Sequence, residues 1–278
     1  MRMVKTWLGE SPVWSERDQC LYYVDILGNA IIQYDPINDA HQSWPVDENI
    51  GCIGLIKEGD FIAAMRTGVY RLNAYGEKIE HLANIPSDPA HSRFNDGKVD
   101  PWGRFWCGTV FEGEAAGAVL CCMHANGTLE VIDTGLHIVN GIAFSPDGTH
   151  MLYSDTQTAT IYRYPLDPSN GHIIGERSIF AKGGQPDGGQ FDAQGHYWSA
   201  DFGAGRLTVR NTDGNIIETL NVPSRYPTMM AFGGKDLTTL FVTSSREYAD
   251  ASDNHSGRIY QCKAPVKGVP AHYFSLGV

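Results

Sequence analysis

The sequence contains no long apolar run. Its longest, residues 50–56 (IGCIGLI), is broken by Gly and Cys and falls far short of the roughly 20 residues that cross a bilayer as a helix. Basic residues are few, 21 Lys and Arg against 32 Asp and Glu, for a formal net charge of -11. No stretch of Lys or Arg forms a basic tract, so nucleic-acid binding is not expected. Cysteine is sparse. Cys20, Cys52, Cys107, Cys121, Cys122 and Cys262 contain no CxxC pair, and in a chain of this length they read as buried thiols. The opening residues MRMVKTWLGE lack the apolar core of a secretory signal. The expected location is cytoplasmic, with no membrane partner. Asn126-Gly127-Thr128 fits a glycosylation pattern, but without export it reads as a turn.

Glycine and proline, in contrast, are plentiful: 31 Gly and 14 Pro in 278 residues, spread along the chain, which calls for frequent and regularly placed turns. With 42% hydrophobic residues, a chain of this size buries about three quarters of its unfolded surface, so disorder is excluded. No helical period longer than a couple of turns appears.

A short strand-like run recurs instead. LYYVD begins at Leu21, FIAAM at Phe61, FWCGT at Phe105, MLYSD at Met151, YWSAD at Tyr197 and LFVTS at Leu240, with intervals of 40, 44, 46, 46 and 43 residues. Each is followed by a second β-branched or aromatic run (IIQYD, VYRLN, VLCCM, IYRYP, LTVRN, IYQCK) and preceded by a segment of small and apolar residues. A weaker fourth run, such as HQSWPV or IIETLNVP, closes most units. Six units of about four strands with a period in the forties predict an all-β six-bladed β-propeller, with four-stranded blades around a central channel, formed by residues 1–278 as one domain. Either residues 3–7 or the C-terminal AHYFSL (271–276) is expected to supply the last outer strand.

The first strand of each propeller blade lines the channel, so residues at equal phase converge on one axis. The positions opening these strands include Glu10, Asn95, Asn140 and Asp187. Two carboxylates and two carboxamides in a narrow, partly desolvated channel are costly unless a cation or hydrogen-bond donors compensate them. A hard-oxygen set suits one divalent metal ion: Ca or Mg, with Mn or Zn also accommodated. Asn and Asp also cap strand starts and turns, and that plainer role stands as the alternative. Arg93 falls near the channel mouth, where a guanidinium suits a hydroxyl- or carboxylate-rich ligand, or pairs with an acidic neighbour. Glu112 and Glu114 occupy a longer loop that reaches over the mouth or is simply solvated. Arg66, Arg246 and Lys98 are candidates for anion contact or for structural pairs. Asp25, Asp155 and Asp201 recur at strand ends and are read as structural.

The segments LGESPVW (from Leu8), RFNDGKVDPWGRFWCGT (from Arg93), VNGIAFSPDG (from Val139), PDGGQFDAQGHYW (from Pro186) and FGGKDLTTLFVTSSR (from Phe232) resemble, in order, the regucalcin (SMP-30) and gluconolactonase family. The resemblance implies a metal-dependent sugar lactonase. Glu10, Asn140 and Asp187 would hold the metal, Arg93 and Asn95 would contact substrate, and Glu112 would match an acidic substrate-contacting position. Asp187 would be the catalytic residue, as general base, while the metal polarises the lactone carbonyl. No GxSxG, HExxH or Ser/His/Asp order supports a covalent serine mechanism. The expected partner is a small-molecule sugar lactone, with the chain a monomer or weak homo-oligomer. The alternatives are a non-catalytic calcium-binding regulatory protein and a propeller hydrolase for another ester class.

Overall fold

The recurring runs pair as their spacing predicts. In the computed structural model, which describes residues 4–113 and 115–277, six small antiparallel sheets form the six blades of a β-propeller, and no helix occurs among the described residues. The inner strands are Gly9–Ser15, Ile50–Ile56, Ser92–Val99, Val139–Phe144, Pro186–Phe191 and Pro227–Gly233. Each pairs with the run detected by the repeat, and that run pairs with the next strand outward. Outer strands such as Lys78–Asn84 and Ile216–Asn221 are mostly exposed, which explains their weak hydrophobic signal.

Inner and second strands are buried on both faces because each blade lies against two neighbours. The apolar core is accordingly divided into six clusters, one between each pair of adjacent blades. Between blades one and two, Tyr22, Val24 and Ile31 meet Ile53, Phe61 and Ala63. The blade four–five cluster is composed of Ala143, Leu152, Ile161, Phe191 and Tyr197. There, polar contacts supplement the packing: the Tyr197 hydroxyl donates to Gly141 O (2.8 Å), and the Ser154 and Thr156 hydroxyls both donate to Pro186 O.

The ring closes differently from either expectation. Among the described residues blade six has three strands, ending with Tyr260–Lys263. The N-terminal residues lie along the top of that blade, where Thr6 N donates to Gly257 O, Arg246 N donates to Trp7 O, and Leu8 bridges Ser245. Met3 lies outside the described residues. The segment 264–277 crosses the opposite end of the channel. Gly268 bridges Asp192 of blade five, Tyr273–Phe274 runs parallel to the inner strand of blade two, and Ser275 N donates to Gly103 O of blade three. A tail free to cross the axis gains more apolar burial there than as one more outer strand, and Phe274 is 4% exposed.

All six cysteines are free. Five are buried, as expected, but Cys262 lies exposed on the last strand of blade six. Residues 126–128 form the expected turn, with Thr128 N donating to Asn126 Oδ1. No helix among the described residues is long and apolar enough to cross a membrane.

Candidate active site and metal centre

The channel mouth is built at the start of the inner strands. In blades one, four and five the second strand ends in Asp25, Asp155 and Asp201. Each carboxylate turns back to the chain entering the same blade's inner strand. Asp25 Oδ1 accepts from Leu8 N (3.0 Å), Asp155 Oδ1 from Ile138 N (3.2 Å), and Asp201 Oδ1 from Gln185 N (2.9 Å). Two residues further along come Glu10, Asn140 and Asp187. The strand pairing then slips, between Glu10 and Val13, between Asn140 and Ala143, and between Pro186 and Gly189. Such bulges break the strict alternation of a strand and re-aim side chains. Gly141, at φ 60°, shows why the local sequence matters, because a Cβ there would lie 2.4 Å from the Tyr197 hydroxyl and 2.9 Å from Asp187 O.

These devices deliver Glu10, Asn140 and Asp187, all buried, to the wall of one cavity of ≈ 820 Å³ together with Asn95. A volume of this size is in the range of small-molecule sites. Burial, and then the neighbouring Asp187 and Asp96, raise the Glu10 carboxyl well above its ordinary value. Burial and Asp96 raise Asp187 in the same sense, and the two carboxyls are within hydrogen-bonding reach of each other. Asn140 is fixed by its neighbours: Asn95 Nδ2 donates to Asn140 Oδ1 (2.7 Å), and Asn140 Nδ2 donates to Thr156 Oγ1 (2.8 Å). Arg93 donates through Nη1 to Asn95 Oδ1 (2.7 Å). The result is an ordered chain Arg93–Asn95–Asn140 leading to the carboxylate pair.

Of the other predicted residues, Glu112 stands at the rim, paired with Arg66 at 2.7 Å, and neither it nor Arg93 is among the residues lining the cavity. Glu114 lies outside the described residues. The three residues considered for anion contact do not line the cavity either. Arg66 is spent on Asn49, Pro89 O and Glu112. Arg246 stacks 3.8 Å over Trp7. Lys98 bonds Gln190 beside the other end of the channel, where burial lowers it to about 8.

The sequence reading passed over Asp96 and Arg225, and with Arg225 the cavity-lining rings Phe202 and Tyr226. Asp96, 3% exposed, accepts from Gly97 N and Ile142 N behind the carboxylate pair. It follows Asn95, which holds the repeat phase, so phase alone passed over it. Arg225 lines the cavity from a loop outside the repeat. The aspartates read as structural are so, but they also place the cavity residues.

Among the described residues no group of three His, Cys, Asp or Glu side chains is set to hold a metal ion. The available set is two carboxylates and a carboxamide. Its chemistry fits a divalent cation nonetheless, since mutual repulsion and burial hold Glu10 and Asp187 away from the ionised state they would adopt around one. Hard oxygen donors favour Ca or Mg over softer metals.

Comparison with known proteins gives a consistent picture. A family model described as the SMP-30/gluconolactonase/LRE-like region matches residues 8–246. The 6-deoxy-6-sulfogluconolactonase of Pseudomonas putida is 42% identical, over 96% of this chain and 95% of its own length. Pentonolactonase XacC of Haloferax volcanii is 35% identical, over 88% and 84%. Among solved structures, a calcium-binding protein, regucalcin, from Agrobacterium tumefaciens superposes with a TM-score of 0.93 at 28% identity, covering 98% of this chain and 95% of that one.

Proposed function

The chain belongs to the SMP-30/gluconolactonase/LRE-like family, and from that premise we propose that it hydrolyses a sugar lactone to the aldonic acid, the class of activity for which its lactonase relatives are named. The observation that carries this reading is the facing pair of buried carboxyls, Glu10 and Asp187, in the wall of a cavity of ≈ 820 Å³. Glu10, Asn140 and Asp187 would hold one divalent cation. When bound, the cation supplies Lewis-acid polarisation of the lactone carbonyl and offsets charge on its oxygen.

The chain's own residues do the rest. Asp187 takes a proton from the attacking water as that water adds to the carbonyl carbon. The adduct collapses with cleavage of the ring carbon–oxygen bond, and the proton on Asp187 passes to the departing ring oxygen. Asn95 has both amide hydrogens committed, to Val139 O and Asn140 Oδ1, so it meets the sugar through Oδ1, as an acceptor from a hydroxyl. Arg93 uses Nη1 on Phe94 O and Asn95, which directs its remaining nitrogens to substrate oxygens. Glu112, half-exposed at the rim, accepts from a distal hydroxyl while Arg66 holds it.

The test is acid release from a panel of aldonolactones by the metal-loaded protein, wild type and Asp187→Ala. The variant should lose about 100- to 10,000-fold in turnover, and unchanged turnover overturns the assignment. The solved neighbour described as a calcium-binding protein favours a second reading, a non-catalytic calcium-binding protein. It predicts metal binding with no turnover of any lactone in the panel.

A further inference from the structure

The wall of the cavity changes character around its circumference. Toward blades three and four it presents the carboxamides Asn95 and Asn140 with Thr156 and Gln157, and toward blades five and six it presents Phe202, Tyr226, Tyr248 and Arg225. The three rings form a mutual cluster, with centroids 5.4 Å (Phe202–Tyr226), 5.9 Å (Phe202–Tyr248) and 6.2 Å (Tyr226–Tyr248) apart. Arg225 is the one cation among the residues lining the cavity, whose other charged members are Glu10, Asp187 and Glu247.

Arginines such as Arg206 and Arg177 pair with Asp201 and Asp133, but among the described residues no carboxylate makes an ion pair with Arg225. Its Nε donates to Gly203 O (3.2 Å), and its guanidinium carbon lies 5.6 Å from the centre of the Tyr226 ring. These contacts orient the group and leave both terminal nitrogens for a ligand. The loop is fixed on either side: Gly205 N donates to Arg225 O, Tyr226 N to Ser224 Oγ, and Ser245 N to Tyr226 O, while Ser224 Oγ lies 2.9 Å from Ser256 Oγ. Preorganisation of this kind lowers the ordering cost of binding. Glu247, the nearest acid in sequence on this wall, is hydrogen-bonded by Tyr248 and faces Arg93.

Building on the lactonase reading, we infer that Arg225, backed by Phe202, Tyr226 and Tyr248, is a subsite for a tetrahedral oxyanion, a sulfonate or phosphate, carried by the lactone at the end remote from its carbonyl. A guanidinium fork matches two oxygens of such a group, and Arg225 stands exposed among the residues lining the cavity, open to an incoming ligand. The chemistry at the carboxylate end would then be shared with neutral lactones, and Arg225 would set the choice among them.

The experiment compares kcat/KM for gluconolactone, 6-deoxy-6-sulfogluconolactone and 6-phosphogluconolactone in the metal-loaded wild type, Arg225→Ala and Arg225→Lys. Wild type should prefer an anionic lactone, and the arm with the larger preference identifies sulfonate or phosphate. In Arg225→Ala the ratio of anionic to neutral kcat/KM should fall about 10- to 100-fold, mainly through KM. Arg225→Lys should restore part of it, since the charge returns without the fork. An unchanged ratio, or a wild type indifferent to the anion, overturns the subsite while leaving the lactonase reading intact. Absence of turnover of all three overturns the lactonase reading instead. Calorimetry with the corresponding aldonates still decides the subsite in that case: wild type should bind the anionic aldonate more tightly than gluconate, and equal affinity overturns it.

Discussion

Blades one, four and five differ from blades two, three and six at a repeated position on the second strand. In the first group the second strand ends in Asp25, Asp155 or Asp201, whose carboxylate grips the amide two residues ahead of Glu10, Asn140 or Asp187. In the second group the same position holds Met65, Thr109 or Ser244. Thr109 Oγ1 instead accepts from Val119 N, and Ser244 Oγ donates to Arg258 O, so both serve the blade's own outer half. The carboxylate and the proposed metal ligand therefore travel together. All six blades need a closed hairpin, but only three need the entry to the inner strand held firmly enough to aim a side chain at a shared point.

The most severe way to break this comparison is to remove the aimed group itself. Chelation of the metal-loaded protein should abolish lactone hydrolysis, and adding back a divalent cation should restore it; activity indifferent to a chelator would dissociate blades one, four and five from any metal role. Removing one aiming device should be milder. Asp155→Ala leaves Asn140 in place but frees Ile138 N, and metal affinity should weaken about 10- to 100-fold, as for other groups that orient ligands. Asp155→Asn, which keeps an acceptor, should recover much of the loss, and isothermal titration reads both.

Ser244→Ala is the matched control in blade six. It gives up one hydrogen bond at a cost of about 1 kcal/mol in stability and should leave metal affinity within about twofold, so equal effects at Asp155 and Ser244 would erase the distinction between the two groups. The smallest effect is expected from titrating groups that take no part in aiming the cavity residues. Burial lowers the pKa of His41, His150 and His272 below 6.5. Each therefore contributes stability that is present above pH 6.5 and is lost as pH falls through its folded value. At saturating metal, which would keep Glu10 and Asp187 ionised, the decline of the thermal midpoint below about pH 6.5 should be less steep in His150→Gln than in the wild type.

The fold was legible because a propeller repeats its period in the sequence, and the burial of inner and second strands on both faces makes those runs the most apolar. Glu10, Asn140 and Asp187 were legible for the same reason: equal phase means a common axis. The paired role of Asp25, Asp155 and Asp201 was not, since a run such as YWSAD shows where a strand ends but not which amide its last side chain meets. Asp96 was hidden behind the phase-bearing Asn95. Arg225 was hidden because loops carry no period, and Arg66, Arg246 and Lys98 looked equally available until their partners were seen. Closure was ambiguous because either terminus has the apolar residues to pair, and the sequence does not tell whether Tyr273 and Phe274 gain more at a rim or across an axis.

That crossing segment has a kinetic meaning. Val269, Pro270, Ala271 and His272 line a pocket at the far end together with Trp14, Lys98, Phe144 and Phe232, so the segment covers that end and leaves the carboxylate end as the expected doorway. An incoming molecule and the acid made from it share that doorway and the same carboxylate-lined end, so each turnover must clear before the next can start. Traffic through it would be two-way, and an accumulating product is expected to compete with fresh substrate.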